Sequence, residues 1–321
     1  MAKWGRILQY DPVTPLVTAG NDALTFFARR DLLDEDPGPV ESLWTLPDVQ
    51  KLLRKQRDNG SWRYPGGKED IRSPENYDQL ETFRQLGFLV EYYGMTRAHP
   101  AIQNAANFLF GFQTEEGDFR GIYGTQYTPN YSGAIMELLI KAGYGDDLRV
   151  EKGFAWLLSI RQHSGGWAIP LQTVGAKLDR PVIHAETLAP DLEKPSSHMV
   201  TGCVLRAFAA HDRYRKSEAA QQAGAYLVTR LFKRGEYPGR QTVDFWTKVT
   251  YPFWFTDILS ALDSLFWLGF TCEHPKIQEG LDWLLDHQRE DGLWEVKRLR
   301  SDIPWVNLAI SRVLKRYCGG L

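Results

Sequence analysis

Three stretches decide the fold: Gln56-Arg-Asp-Asn-Gly60-Ser-Trp62, Gln113-Thr-Glu-Glu-Gly117-Asp-Phe119 and Gln288-Arg-Glu-Asp-Gly292-Leu-Trp294. In each, glycine follows glutamine by four residues and an aromatic follows glycine by two. A contracted copy, Gln162-His-Ser-Gly165-Gly166-Trp167, lies between the second and third, and a fifth segment, 231–237, ends in Gly235-Glu-Tyr237 without the glutamine. The glycines at 60, 117, 165, 235 and 292 are spaced by 57, 48, 70 and 57 residues. A period of that size marks one supersecondary unit copied along the chain, each copy burying its apolar face against its neighbours.

Outward from each turn, the flanking sequence reads as helix. Before the last turn, Ile277, Leu281, Leu284 and Leu285 share one helical face, as do Ile102, Ala106, Leu109 and Phe110 before the second. His99-Pro100 and His274-Pro275 put proline at a first helical position, where its missing N–H costs nothing. Thr45-Leu-Pro47-Asp48 reads as a further start with a capping-box acid. After each turn the spacing predicts a more apolar helix, near 76–93, 130–142, 197–211, 254–268 and 303–317, with 21–33 as a sixth. Gly94, Gly143 and Gly269 suit left-handed caps at three of their ends. Helices apolar on most sides need cover on most sides. The arrangement expected is an all-α, α/α toroid, with six inner and five or six outer helices forming a single domain over 1–321.

Composition bounds the partners. The formal net charge is −2, from 38 basic and 40 acidic residues, which gives no argument for nucleic acid. Cys203, Cys272 and Cys318 are too few for a disulfide framework. The first residues lack a signal-peptide core, and the apolar run from Tyr251 to Phe270 carries Asp257 and Asp263, so a cytoplasmic protein without a membrane span is expected. Oligomeric state is left open.

The Gln…Gly-x-Trp turns between outer and inner helices resemble the QW-type repeats of the terpenoid cyclase and protein prenyltransferase superfamily. The resemblance runs over roughly residues 41 to 318 and points to a stand-alone bacterial protein of squalene-hopene-cyclase-like type. It implies the toroid, with a pocket lined near the N-terminal ends of the inner helices. The motifs that carry the superfamily's chemistry differ. The Asp-x-Asp-Asp acid of proton-initiated cyclases does not occur, Asp34-Glu-Asp36-Pro37 being the nearest string. No Asp-x-Cys is present to join His198 at a zinc site, and Cys272-Glu-His274 offers two ligands only. The metal-binding Asp-Asp-x-x-Asp is also missing. Neither metal nor cofactor is therefore expected.

Carried onto this chain, the pocket positions are Tyr77, Asp78 and Glu81, Asn130 and Tyr131, His198, Trp254, Phe255 and Asp257, and Trp305. Aromatic faces stabilise a nearby cation by roughly 0.5–2 kcal/mol each, and they pack cores equally well. Asp257 is the candidate acid, because burial among aromatics raises a carboxyl pKa and keeps it protonated; bonding a nearby hydroxyl or helix end is the alternative. His198 is expected either to restore its proton or to cap its own helix. Arg63, Lys68 and Arg72 with Lys297, Arg298 and Arg300 form two basic loops that suit a diphosphate if they meet, or simply solvent. The insertion 171–194, with Asp179-Arg180-Pro181 and His184-Ala-Glu186, has the length of a lid.

Three functions follow. The first is a terpene cyclase-like enzyme that protonates an isoprenoid or other elongated apolar substrate inside the barrel. The second is a non-catalytic module binding an apolar ligand or a protein partner. The third is a carbohydrate-active toroid using Asp78 and Glu81, one turn apart, as paired carboxylates.

Overall fold

The computed structural model describes residues 8–66, 74–177, 181–295 and 303–319. Among these residues no strand forms a sheet, and thirteen α-helices follow one another along the chain. Six build an inner ring: α2 (Asp22–Leu32), α4 (Pro74–Tyr93), α6 (Pro129–Leu139), α9 (His198–Ala210), α11 (Ile258–Trp267) and α13 (Ile303–Cys318). Each packs on the next, and α13 packs back on α2, so the ring is closed. Outside it lie α3 (Pro47–Leu53), α5 (Pro100–Phe110), α7 (Leu148–Ser159), α10 (Glu218–Arg230) and α12 (Pro275–Asp286). The short α1 (Val13–Val17) fills the sixth place against α2 and α13, and α8 (Pro170–Thr173) is a single turn. The fold is the expected α/α toroid.

The repeated turns brace the two layers in one way. Gln56 Nε2 donates to Gly60 O within its own turn at 2.9 Å and to Ala101 O at the start of the next outer helix at 2.8 Å. Gln113 does the same with Gly117 O and Arg149 O, and Gln288 with Gly292 O and Tyr10 O. The indoles of Trp62, Trp167 and Trp294 donate to Leu52 O, Leu157 O and Leu284 O of the preceding outer helix. Each aromatic's backbone N–H donates to a side chain of the inner helix that follows: Thr82, Ser132, Thr201 and Asn307 in turn. The repeat phrase thus satisfies buried backbone groups at three helix ends at once.

Glycine is required because φ is +85° at Gly60, +114° at Gly117 and +82° at Gly292, and the next element is in contact. A Cβ on Gly292 would stand 2.0 Å from Asp11 O, just before α1. The last turn therefore closes the ring on the segment that leads into α1.

Two local expectations are corrected. Thr45 does not cap α3: Leu46 is the N-cap residue and Thr45 Oγ1 donates back to Ser42 O. Tyr237 is not the fifth turn's aromatic, since its hydroxyl donates to Pro195 O while the buried Trp246 donates its indole N–H to Lys233 O. The spacing is longer there, so the two-residue phrase misplaces it. His99 and His274 do more than precede their prolines, each accepting a backbone N–H on Nδ1 as N-cap. Gly94, Gly143 and Gly269 take positive φ at their helix ends.

The insertion 171–194 is fastened to the loop after the second turn. Thr125 N donates to Ile183 O, Gln126 Nε2 to Val182 O and Glu186 O, and Leu188 N to Gln126 Oε1. Gln162, the glutamine of the contracted repeat, holds its far end through Asp191 O and Lys194 O. Residues 179 and 180 lie outside the described residues.

Candidate functional site

The segment before α11, Thr250 to Phe255, enters the ring. Tyr251 and Phe253 stand in the walls of two cavities, so the centre is divided where a single hollow was expected. The first cavity, about 340 Å³, is an apolar chamber. Its walls include Leu80, Phe83 and Phe88 of α4, Leu138 of α6, and Pro252 to Phe255. The expected placement at inner-helix N-terminal ends is corrected accordingly: the chamber lies along the middle of α4 and the end of α6, because the incoming segment fills the space between.

The second cavity, about 420 Å³, is polar and takes residues from the C-terminal halves of all six inner helices. A chain of alternating charge forms the floor between the two. Asp31 accepts from Arg312 Nε at 2.7 Å, and Arg312 Nη1 donates to Tyr251 Oη at 3.2 Å. The Tyr251 hydroxyl donates to Glu91 at 2.6 Å, Lys141 bridges Glu91 and Glu137 at 2.6 and 2.8 Å, and Arg206 Nε donates to Glu137 at 2.7 Å. Against desolvation, Lys141 and Arg206 hold Glu137 below the ordinary carboxylate range, so it stays ionised. These residues were missed in the sequence, since their spacing along the chain is long and only ring closure assembles them.

Of the proposed pocket residues, Trp254 and Phe255 line the chamber. Neither is helical, because Asp257 ends the extended segment as the N-cap of α11. Trp254 is 41% exposed at the chamber wall and packs on Phe83, centroids 5.8 Å apart. Tyr131 is buried behind it, touching Phe83 at 6.4 Å, with its hydroxyl lacking a partner among the described residues and its pKa raised by burial. Trp305 stacks on Tyr92 at 4.2 Å and 7° in the ring's core, and Tyr77 packs at a tilt of 33° on Tyr64, itself a wall residue. Tyr131, Trp305 and Tyr77 are not among the residues lining either cavity.

The carboxylate pair is corrected. Asp78 accepts Tyr64 N–H at 2.8 Å and pairs with Arg57, bracing the first turn, while Glu81 binds Arg84 at 2.9 Å and Gln85 at 2.6 Å. One turn apart on α4, they serve different neighbours and are not lining residues of either cavity, so they offer no acid–base pair. The basic loops cannot be brought together here, because Lys68, Arg72, Lys297, Arg298 and Arg300 lie outside the described residues; Arg63 is described.

Asp257 is fully buried and behaves as the N-cap alternative expects. Oδ1 accepts Ser260 N–H at 2.8 Å, Ser260 Oγ accepts Asp257 N–H in return, and Oδ2 accepts Thr250 N–H at 3.0 Å. Desolvation nonetheless outweighs these bonds and pushes its pKa up to about 7. It is not on the chamber wall; the Thr250 hydroxyl, 3.4 Å from Oδ2, belongs to a residue that is. His198 does not join it. Its ring stacks on Trp246 at 4.9 Å, its Nδ1 has no partner among the described residues, and burial lowers its pKa to about 4, so it is neutral. Ser197, not His198, caps α9.

A closed double ring of helices around an aromatic chamber defines a cyclase-type toroid. Residues 133–304, more than half of the chain, match the squalene-hopene cyclase C-terminal domain, and the chain belongs to that family. It is 27% identical over 134 residues to the squalene–hopene cyclase of Zymomonas mobilis, a match that covers 37% of this chain and 20% of that relative. The type II terpene cyclase MstE from Scytonema aligns over 97% of this chain and 99% of its own, at 13% identity and a TM-score of 0.45. A protein from Actinoplanes aligns over 87% of both chains at 15% identity and 0.38. No helix of the described residues is long and apolar enough to cross a membrane.

Proposed function

We propose that the protein is a terpene cyclase-like enzyme that takes an isoprenoid or similarly elongated apolar molecule into the chamber and isomerises it by protonation. One observation carries this reading: a buried carboxyl poised near neutrality, Asp257, is joined to an aromatic-walled apolar chamber by one hydroxyl, that of Thr250. The chamber's volume falls at the lower end of ordinary small-molecule sites, roughly 300–1,000 Å³. In the proposed step the Asp257 proton passes through Thr250 Oγ to a substrate alkene. The alkene's electron pair forms the new C–H bond and leaves a carbocation at the neighbouring carbon. Another double bond of the chain attacks that cation and closes a ring. A proton then leaves carbon along the same route and re-forms the Asp257 acid, so no co-reactant is needed. Trp254, Phe83 and Phe255 shield the cation meanwhile. His198, neutral and stacked, has no part.

The test is incubation of the purified protein with polyprenyl substrates of several lengths, with products read by mass spectrometry. Cyclised products of unchanged mass that vanish in Asp257→Asn and fall sharply in Thr250→Val are expected. Turnover untouched by Asp257→Asn overturns the mechanism.

A second reading has its own observation. Glu91 and Glu137, the carboxylates in the chamber wall, are neutralised by Lys141 and Arg206, which suits a module that binds an apolar ligand without altering it. An intact lipid that co-purifies and is converted under no condition supports it.

A further inference from the structure

Asp257 is carried by a turn, and α9 holds that turn along one face. Met199, Gly202, Cys203 and Arg206 recur at i, i+3, i+4 and i+7, the spacing that brings residues to one side of a helix. Thr256 Oγ1 donates to Met199 O at 2.6 Å and lies 3.7 Å from Cys203 Sγ. A Cβ on Gly202 would stand 2.3 Å from Thr256 Cγ2, so the turn rests directly on the helix there. Arg206 Nη1 donates to Phe255 O at 3.4 Å, and Ser260 Oγ, which accepts Asp257 N–H, stands 3.3 Å from the same oxygen. Arg206 is held in turn by Glu137. From Glu137 the floor runs through Lys141 and Glu91 to Tyr251, the residue next to the Thr250 N–H that Asp257 accepts. Both flanks of the carboxyl are thereby tied to one ionic chain, and Arg206 closes it.

We infer that Arg206 is a positioning residue for the Asp257 acid, fixing through Phe255 O the turn that sets the carboxyl against Thr250. This role rests on the reaction proposed above. The charge of Arg206 serves the same end. Desolvation raises the pKa of Asp257, its bonds to Ser260 and Thr250 lower it, and Arg206 is the cation that draws it down further. Other ionisable groups on the packed elements are engaged elsewhere. Cys203 touches Thr256, while Glu137, Lys141 and Glu91 pair with one another in the floor. From α13, Arg316 pairs with Asp263 and the Tyr317 hydroxyl donates to Leu262 O, both more than a turn along α11. On α12, Lys276 pairs with Glu279 at the surface. Without the guanidinium, the buried carboxyl would hold its proton more tightly and be a poorer donor to an alkene.

The experiment is a pH titration of the full chain labelled with carbon-13 at the aspartate carboxyls, followed by NMR, with the Asp257 signal assigned from Asp257→Asn. In wild type the midpoint is expected near 7. Arg206→Gln is expected to move it upward by about one pH unit. A merely structural role predicts the opposite sign, because a loosened turn admits water and returns the carboxyl toward its ordinary, lower value. Circular dichroism melting confirms that the variant folds. If it does not, Arg206→Met combined with Glu137→Met removes both charges and keeps the site packed; the nearer charge lost is the cation, so the midpoint again rises. An Asp257 midpoint that is unchanged or lowered in the folded Arg206 variant overturns the inference. The titration needs no substrate, so its failure is distinct from a failure of turnover on polyprenyl substrates, which would tell against the proposed reaction instead.

Discussion

Asp257 shows how one residue can meet two demands. Its carboxyl caps a buried helix through Ser260 and holds Thr250, yet desolvation keeps its proton available near neutral pH. The sign of the stability effect follows from the direction of the shift. The folded pKa, about 7, lies above the ordinary 3.8, so the folded state binds the proton more tightly. The resulting stabilisation is complete below the unfolded value and disappears as pH rises through the folded one. We predict that the difference in unfolding free energy between wild type and Asp257→Asn, from urea titrations, shrinks as pH is raised across that window, by up to roughly 1.4 kcal/mol per pH unit. A difference that stays flat would show an ordinary, ionised cap. His198 works in the opposite sense: its lowered pKa stabilises the fold above 6.5 and ceases to do so as pH falls toward 4. Comparing single variants separates the two. Asp257 was legible in the sequence as a lone acid among aromatics. Its orientation was not, because the capping partner three residues on and Thr250 seven residues back become neighbours only when the extended segment folds over the helix start.

At the scale of elements, the turns are the hinges of the fold. Their glutamine and indole were legible because each copy must solve the same problem of unsatisfied helix ends. The side chains that answer them, Thr82, Ser132, Thr201 and Asn307, were not, since four different residues perform one task. Two glycines separate backbone strain from packing. Gly269 has φ +89° with open space around it, whereas Gly292 has φ +82° and meets Asp11 O. Gly269→Ala is predicted to cost about 1–2 kcal/mol, the price of a left-handed L-residue. Gly292→Ala is predicted to cost distinctly more, because the seam that closes the ring must also open. Equal losses in denaturant titrations would mean that the seam contributes nothing.

The whole molecule is a ring whose centre is occupied by side chains that no local periodicity of the sequence brings together. Helix number, order and limits follow from local periodicity, so the six inner helices fall within a few residues of their expected ends. What fills the middle depends on Tyr251 and Phe253 reaching helices far away in sequence, as Tyr251 does to Glu91 and Arg312. The wall aromatics were therefore found in part, while the ionic floor and the polar cavity beneath it were not. In the proposed function the chamber beside α4 receives a linear apolar chain. Gly87 lies in its wall, and a Cβ there would make only ordinary contact with Leu138 at 3.5 Å, so a larger side chain can enter the chamber without disturbing the ring. Helix propensity favours that change by up to about 1 kcal/mol. The most direct measurement is isothermal titration of wild type and Gly87→Leu with geranylgeraniol. Saturable binding by wild type with a negative heat-capacity change is expected, lost in a variant at least as stable. Equal binding by both, or none by wild type, would contradict that function.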